Sequence, residues 1–163
     1  MTDIRIGRRE MLGAGLLGLV GLAILRAPGT AGAAGFQVQH TPAQWRKLLG
    51  DRRYAVLREA ATEQPFTSPL LNEHRRGTFV CAACAQPLFS SATKFDSGTG
   101  WPSFWKALPG GIVTRADHSL LMERTEVLCA RCGGHLGHVF DDGPKPTGLR
   151  YCMNGLALNF RAA

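Results

Sequence analysis

The sequence predicts a mainly β fold with short helices at its N-terminal side, and three observations carry that expectation. From Gly77 onward glycine and proline recur every few residues. Between them stand short apolar runs, Thr78–Val80, Ser119–Met122, Val127–Leu128 and Leu156–Phe160, of the length of short strands. The chain has 163 residues, 45% of them hydrophobic, which is enough for one domain around one modest core.

The helices come first. Thr41-Pro42-Ala43-Gln44 is a capping box with proline at the first helical position, and Trp45, Leu48 and Leu49 would share a face before Gly50 ends the turn. Tyr54, Leu57 and Ala61 recur at helical spacing and predict a second short helix, followed by a loop marked by Pro65 and Pro69.

Ahead of them, Gly7-Arg8-Arg9-Glu10-Met11-Leu12 opens an uncharged stretch that runs to Leu25 and is followed by Ala31-Gly32-Ala33. A basic start, an apolar middle and small residues at the end resemble a twin-arginine export signal. The apolar run is 15 residues long and carries glycines at 13, 15, 18 and 21, short of the about 20 apolar residues a spanning helix needs. Residues 1–33 are therefore expected to be a cleaved signal and the only contact with a membrane, with an uncleaved membrane anchor as the alternative. Residues 34–163 would form the exported, periplasmic domain.

Four of the 19 basic residues and two of the 12 acidic ones lie in that segment, which reduces the net charge from +7 to +5 in the remainder. What remains is scattered, with no arginine-rich stripe and no aromatic ladder between lysines, so nucleic-acid binding is not expected.

The five cysteines divide as four plus one. Cys81-x-x-Cys84 and Cys129-x-x-Cys132 are two knuckles, each turning a pair of thiolates to one side, and together they offer the sulfur set that zinc favours. Cys84 and Cys129 are 45 positions apart, so such a site would join distant parts of the domain. Two disulfides, or an iron site, are the alternatives, and an oxidising compartment favours the disulfides. Twin-arginine substrates fold before export, so a metal loaded in the cytoplasm would already protect the thiolates.

Cys152 stands alone between Arg150 and Asn154, and in a strand these three would project to one face. A neighbouring guanidinium favours thiolate over thiol, the condition for a reactive cysteine, whereas a buried free cysteine is the bland alternative. His135 and His138 lie just after the second knuckle, which would anchor a loop bearing two imidazoles. His40, His74 and His118 have no such setting.

Four blocks then carry a resemblance. They are Cys81-Ala-Ala-Cys84-Ala-Gln-Pro-Leu-Phe89-Ser, Lys94-Phe-Asp-Ser-Gly-Thr99-Gly-Trp101-Pro-Ser-Phe104, His135-Leu-Gly-His138-Val-Phe-Asp-Asp-Gly143 and Arg150-Tyr-Cys152-Met-Asn154. In this order they resemble the type B methionine sulfoxide reductases, from about Trp45 to Phe160. The resemblance implies two antiparallel sheets around the active site and a structural zinc on Cys81, Cys84, Cys129 and Cys132. It implies Cys152 as nucleophile, His135 and His138 as active-site imidazoles, Arg150 and Asn154 as groups ordering the site, and Trp101 as the wall that receives the substrate methyl group. Phe104 would add to that aromatic seat.

The chemistry agrees with these residue types. A sulfoxide is a poor electrophile at sulfur unless its oxygen is protonated or hydrogen-bonded, and an imidazole with a pKa near ~6.5 can carry that proton. The products would be methionine and a cysteine sulfenic acid. Many members of the family carry a second, resolving cysteine where this chain has Thr99, so the sulfenic acid would have to be reduced by an external thiol or a thioredoxin-like donor. The expected substrates are oxidised proteins or peptides carrying methionine-R-sulfoxide, handled by a monomer. A zinc-ribbon binding module explains only the four cysteines, and a cysteine hydrolase built on Cys152 and His138 leaves Trp101 and the zinc without roles.

Overall fold

A computed structural model describes residues 35–119 and 123–163. The expected export signal, and most of the expected strand Ser119–Met122, lie outside the described residues. Helix α1 (Pro42–Glu59) begins on the capping box, with the Thr41 hydroxyl accepting from the Gln44 N–H and the Gln44 side chain accepting from the Thr41 N–H. Gly50, at φ 69° and ψ 165°, breaks it into the two short helices expected. Trp45 turns inward with Leu49 half-buried, whereas Leu48 is 64% exposed and does not share their face. The second half ends at Glu59 rather than Ala61, because Ala60 adopts the left-handed conformation at φ 54°.

Among the described residues nine strands follow in two antiparallel sheets. The smaller has the order β2-β1-β9, from β1 (Gly77–Cys81), β2 (Pro87–Ser90) and β9 (Leu158–Ala162). The larger has the order β3-β4-β8-β7-β6-β5, from β3 (Lys94–Phe95), β4 (Ser103–Phe104), β5 (Ile112–Asp117), β6 (Arg124–Cys129), β7 (His135–Phe140) and β8 (Arg150–Met153). The sequence reading missed β5 because its central residues Val113–Ala116 are exposed, so no apolar run marks it.

Phe104 belongs to the core between the sheets. It is fully buried, stacked on Phe89 at 4.4 Å and edge-on to Phe79 at 4.9 Å between ring centroids. In register, Phe104 pairs with Tyr151 while its neighbour Ser103 pairs with Cys152, so the alternation of strand side chains turns Phe104 away from the Cys152 sulfur. It is a packing residue and not part of a substrate wall.

Candidate active site

Cys152 lies in the middle of the larger sheet, directly across from Ser103 on one side and His138 on the other. Beside it opens a cavity of about 140 Å³ walled by Trp101, His138, Phe140 and Asn154, with Thr62, Arg124 and Gly137 completing the lining. Close approach of β7 and β8 here requires glycine. Gly137 has φ 153°, and a Cβ on it would lie 2.1 Å from the Cys152 carbonyl oxygen.

The two histidines have odd and even numbers and would face opposite sides of a regular strand. They meet because β7 is bulged: Gly137 pairs with Val127 and His135 with Leu128, so Leu136 is the extra residue. The bulge returns His135 to the face of His138, and their ring centroids are 5.5 Å apart. Each imidazole then finds a carboxylate. His138 Nε2 is 2.8 Å from Asp117 on β5, and His135 Nδ1 is 2.7 Å from Glu126 on β6.

Arginines complete both pairs, Arg124 donating to Asp117 at 2.7 Å and Arg115 to Glu126 at 2.9 and 2.6 Å. Hydrogen bonds from the Ser119 backbone and side chain, together with His138, hold Asp117 well below the usual carboxylate range. Burial pushes the His135 pKa down, against the opposing pull of Glu126. His138 lines the cavity with Cys152, whereas His135 faces a neighbouring cavity with Glu126 and Arg115.

Asn154 is buried, and its side chain accepts from the Glu63 N–H at 2.8 Å and donates to the Leu136 carbonyl at 3.2 Å. Arg150 grips Asp142 through two hydrogen bonds of 2.8 and 2.7 Å, and its guanidinium lies 4.3 Å above the Phe140 ring. That ion pair raises the Arg150 pKa, with the Cys152 sulfur a smaller contributor. Arg150 therefore backs the Phe140 wall while remaining near the sulfur. Phe140 supplies the second aromatic wall that had been expected of Phe104.

Glu63, Asp117, Glu126 and Phe140 were not singled out in the sequence. Phe140 lies two residues beyond His138 on the same strand, so period-two alternation places it on the same face and was the available signal. Glu63 carries no local signal, because its partners are about 38 and 92 residues away.

The four remaining cysteines lie apart from this cavity, at the sulfur cluster joining the sheets. Cys81 ends β1 and Cys129 ends β6, and each chain then turns so that the residue after the second cysteine is left-handed, Ala85 at φ 61° and Gly133 at φ 66°. The four Sγ atoms all lie within 4.8 Å of one another, with Cys81 and Cys132 at 3.7 Å and Cys84 and Cys129 at 3.5 Å. Disulfides are absent among these residues, and the separations resemble the ~3.8 Å edge of a tetrahedron with Zn–S bonds of about 2.3 Å. This donor set fits a metal ion.

A SelR domain model matches residues 49–162. The chain belongs to the SelR family, the type B methionine sulfoxide reductases. Proteins named peptide methionine sulfoxide reductase MsrB are similar to it over most of its length. That of Leptospira interrogans is 51% identical over 127 residues, 77% of this chain and 97% of that protein. The one from Thiobacillus denitrificans is 56% identical over 121 residues, 74% of this chain and 92% of that protein. A third, from Bradyrhizobium diazoefficiens, is 59% identical over 116 residues, 71% of this chain and 84% of that protein. The SelR match spans Cys152 and both cysteine knuckles.

Proposed function

We propose that this protein is a peptide-methionine (R)-S-oxide reductase that uses Cys152 as its nucleophile and regenerates it with an external thiol. The observation that carries the reading is the cavity in which the Cys152 sulfur, the His138 imidazole and two aromatic walls converge. The Cys152 thiolate attacks the sulfoxide sulfur while a proton reaches the sulfoxide oxygen. That oxygen ends on Cys152 as a sulfenic acid, the cysteine sulfur is oxidised by two electrons, and methionine leaves reduced by two.

His138 is the proton donor. It lines the cavity with the nucleophile, and Asp117 fixes its ring through Nε2. His135 orders the carboxylates behind it. Trp101 and Phe140 seat the S-methyl group, and Trp101 is fixed by its indole N–H donating to the Glu63 carbonyl at 2.8 Å.

Zinc on Cys81, Cys84, Cys129 and Cys132 would supply a cross-link between the sheets and takes no part in oxygen transfer. Thr99 is 3.6 Å from Cys152 and has no sulfur with which to close a disulfide. One external thiol therefore displaces water from the sulfenic acid, and a second releases Cys152 from the mixed disulfide. The twin-arginine-like N-terminus supports export, repair of oxidised proteins outside the cytoplasm, and a thioredoxin-like or small-thiol donor there.

Mass spectrometry after one equivalent of sulfoxide without reductant tests the scheme. The expected product is one methionine and a chain heavier by one oxygen, labelled at Cys152 by a sulfenate-selective probe. Loss of two hydrogens, with Cys152 linked to one of the four knuckle cysteines, would overturn it.

A further inference from the structure

Four hydrogen-bonding contacts run in series from the reactive sulfur to the backbone of the substrate wall. Cys152 Sγ is 3.6 Å from Thr99 Oγ1, which is 2.8 Å from Ser97 Oγ, which is 2.7 Å from Ser103 Oγ, which donates to the Trp101 carbonyl at 3.1 Å. Ser103 is fully buried, so the run is closed to water at that end. The direction of each hydrogen follows by counting. A carbonyl only accepts, so Ser103 donates to Trp101; Ser97 must then donate to Ser103, Thr99 to Ser97, and the Cys152 S–H to Thr99.

A thiolate only accepts, and with it the count changes. Thr99 now donates to sulfur, Ser97 to Thr99 and Ser103 to Ser97, and the Trp101 carbonyl loses its donor. Three hydroxyl rotations accomplish this with no heavy atom moving. We propose that Thr99, Ser97 and Ser103 form a reversible hydroxyl relay in which Thr99 donates directly to the Cys152 thiolate and Ser97 and Ser103 are positioning residues that set the direction. Thr99 is thus more than a missing cysteine: it is the hydrogen-bond donor to the nucleophile. The assignment rests on Cys152 being that nucleophile.

The relay predicts opposite signs at its two ends. Removing the Thr99 hydroxyl takes a donor from the thiolate. Removing the Ser103 hydroxyl instead leaves Ser97 with no acceptor beyond it, so its hydrogen is free for Thr99, and the thiolate arrangement becomes the one in which every hydroxyl is used. His138, Arg150, Arg124 and Asp117, the charged or titratable groups around the sulfur, are unchanged in both variants.

The test is the rate at which iodoacetamide alkylates Cys152 in the reduced, folded chain at pH 7 without substrate, followed by mass spectrometry. A charged hydrogen bond of about 1.5 kcal/mol corresponds to about tenfold, so Thr99→Val should slow alkylation about tenfold. Thr99→Ser should stay within about twofold of the parent, and Ser103→Ala should react faster than it. Thr99→Val alkylating as fast as the parent, or Ser103→Ala slowing like Thr99→Val, would overturn the relay. Sulfoxide turnover surviving in Cys152→Ser would instead overturn the functional reading, and the two failures are distinguishable because alkylation uses no sulfoxide.

Discussion

Glu63 uses its backbone and its side chain together. Its N–H donates to Asn154, its carbonyl accepts from the Trp101 indole, and one carboxylate oxygen accepts from the N–H groups of Gly155 and Leu156 at 2.5 and 3.2 Å. Trp101 and Asn154, which come from different ends of the site, are thereby fixed against one residue. Glu63→Ala strands two backbone donors where Glu63 is now only 6% exposed, and should cost about 2–4 kcal/mol by urea unfolding. His135 gives the pH dependence at this scale. Its folded pKa lies below the ordinary ~6.5, so the unfolded chain binds the proton first and stability falls as pH drops below about 6.5. Carboxylates held low, such as Asp117, lose their contribution only in more acid solution. A melting curve measured between pH 8 and 5 should show the decline, and His135→Asn should flatten it.

At the scale of elements, the bulge in β7 and the glycine beside it decide the site. Gly137→Ala places a methyl group against the Cys152 carbonyl, so β7 and β8 must separate. It should lower turnover by about tenfold, and hydrogen exchange should show lost protection along β8 as the two strands part. Phe104 and Trp101 offer a contrast within one block. Phe104→Ala should cost about 3–5 kcal/mol of stability, since it empties the stack between Phe79 and Phe89, whereas Trp101→Ala should act chiefly on substrate binding and raise KM. These cases show how far the sequence could be read. The capping box at Thr41, the break at Gly50 and the two knuckles were legible because each is a local pattern with a local cause. The side of the sheet on which Phe104 lies was not, because it depends on its register against Tyr151, 47 positions away. Likewise, simple alternation separates His135 from His138, and only the bulge unites them.

For the whole molecule, the sulfur cluster joins the ends of β1 and β6 and so ties the smaller sheet to the larger one. About one zinc per chain should copurify. Cys81→Ser or Cys129→Ser should lower the melting temperature more than Cys152→Ser does, because the first two remove metal-linked folding free energy and the third removes a half-buried thiol. The cluster thereby holds the sheets together, while the Cys152 sulfur, on β8 between β4 and β7 of the larger sheet, stands outside it. The central claim is that one cavity around Cys152 reduces one epimer of the sulfoxide. It is tested most directly by supplying the separated R and S epimers of a methionine-sulfoxide peptide with a dithiol reductant, using Cys152→Ser as the control. The account predicts consumption of the R epimer alone and none by the variant; equal consumption of both epimers, or undiminished turnover by Cys152→Ser, would contradict it.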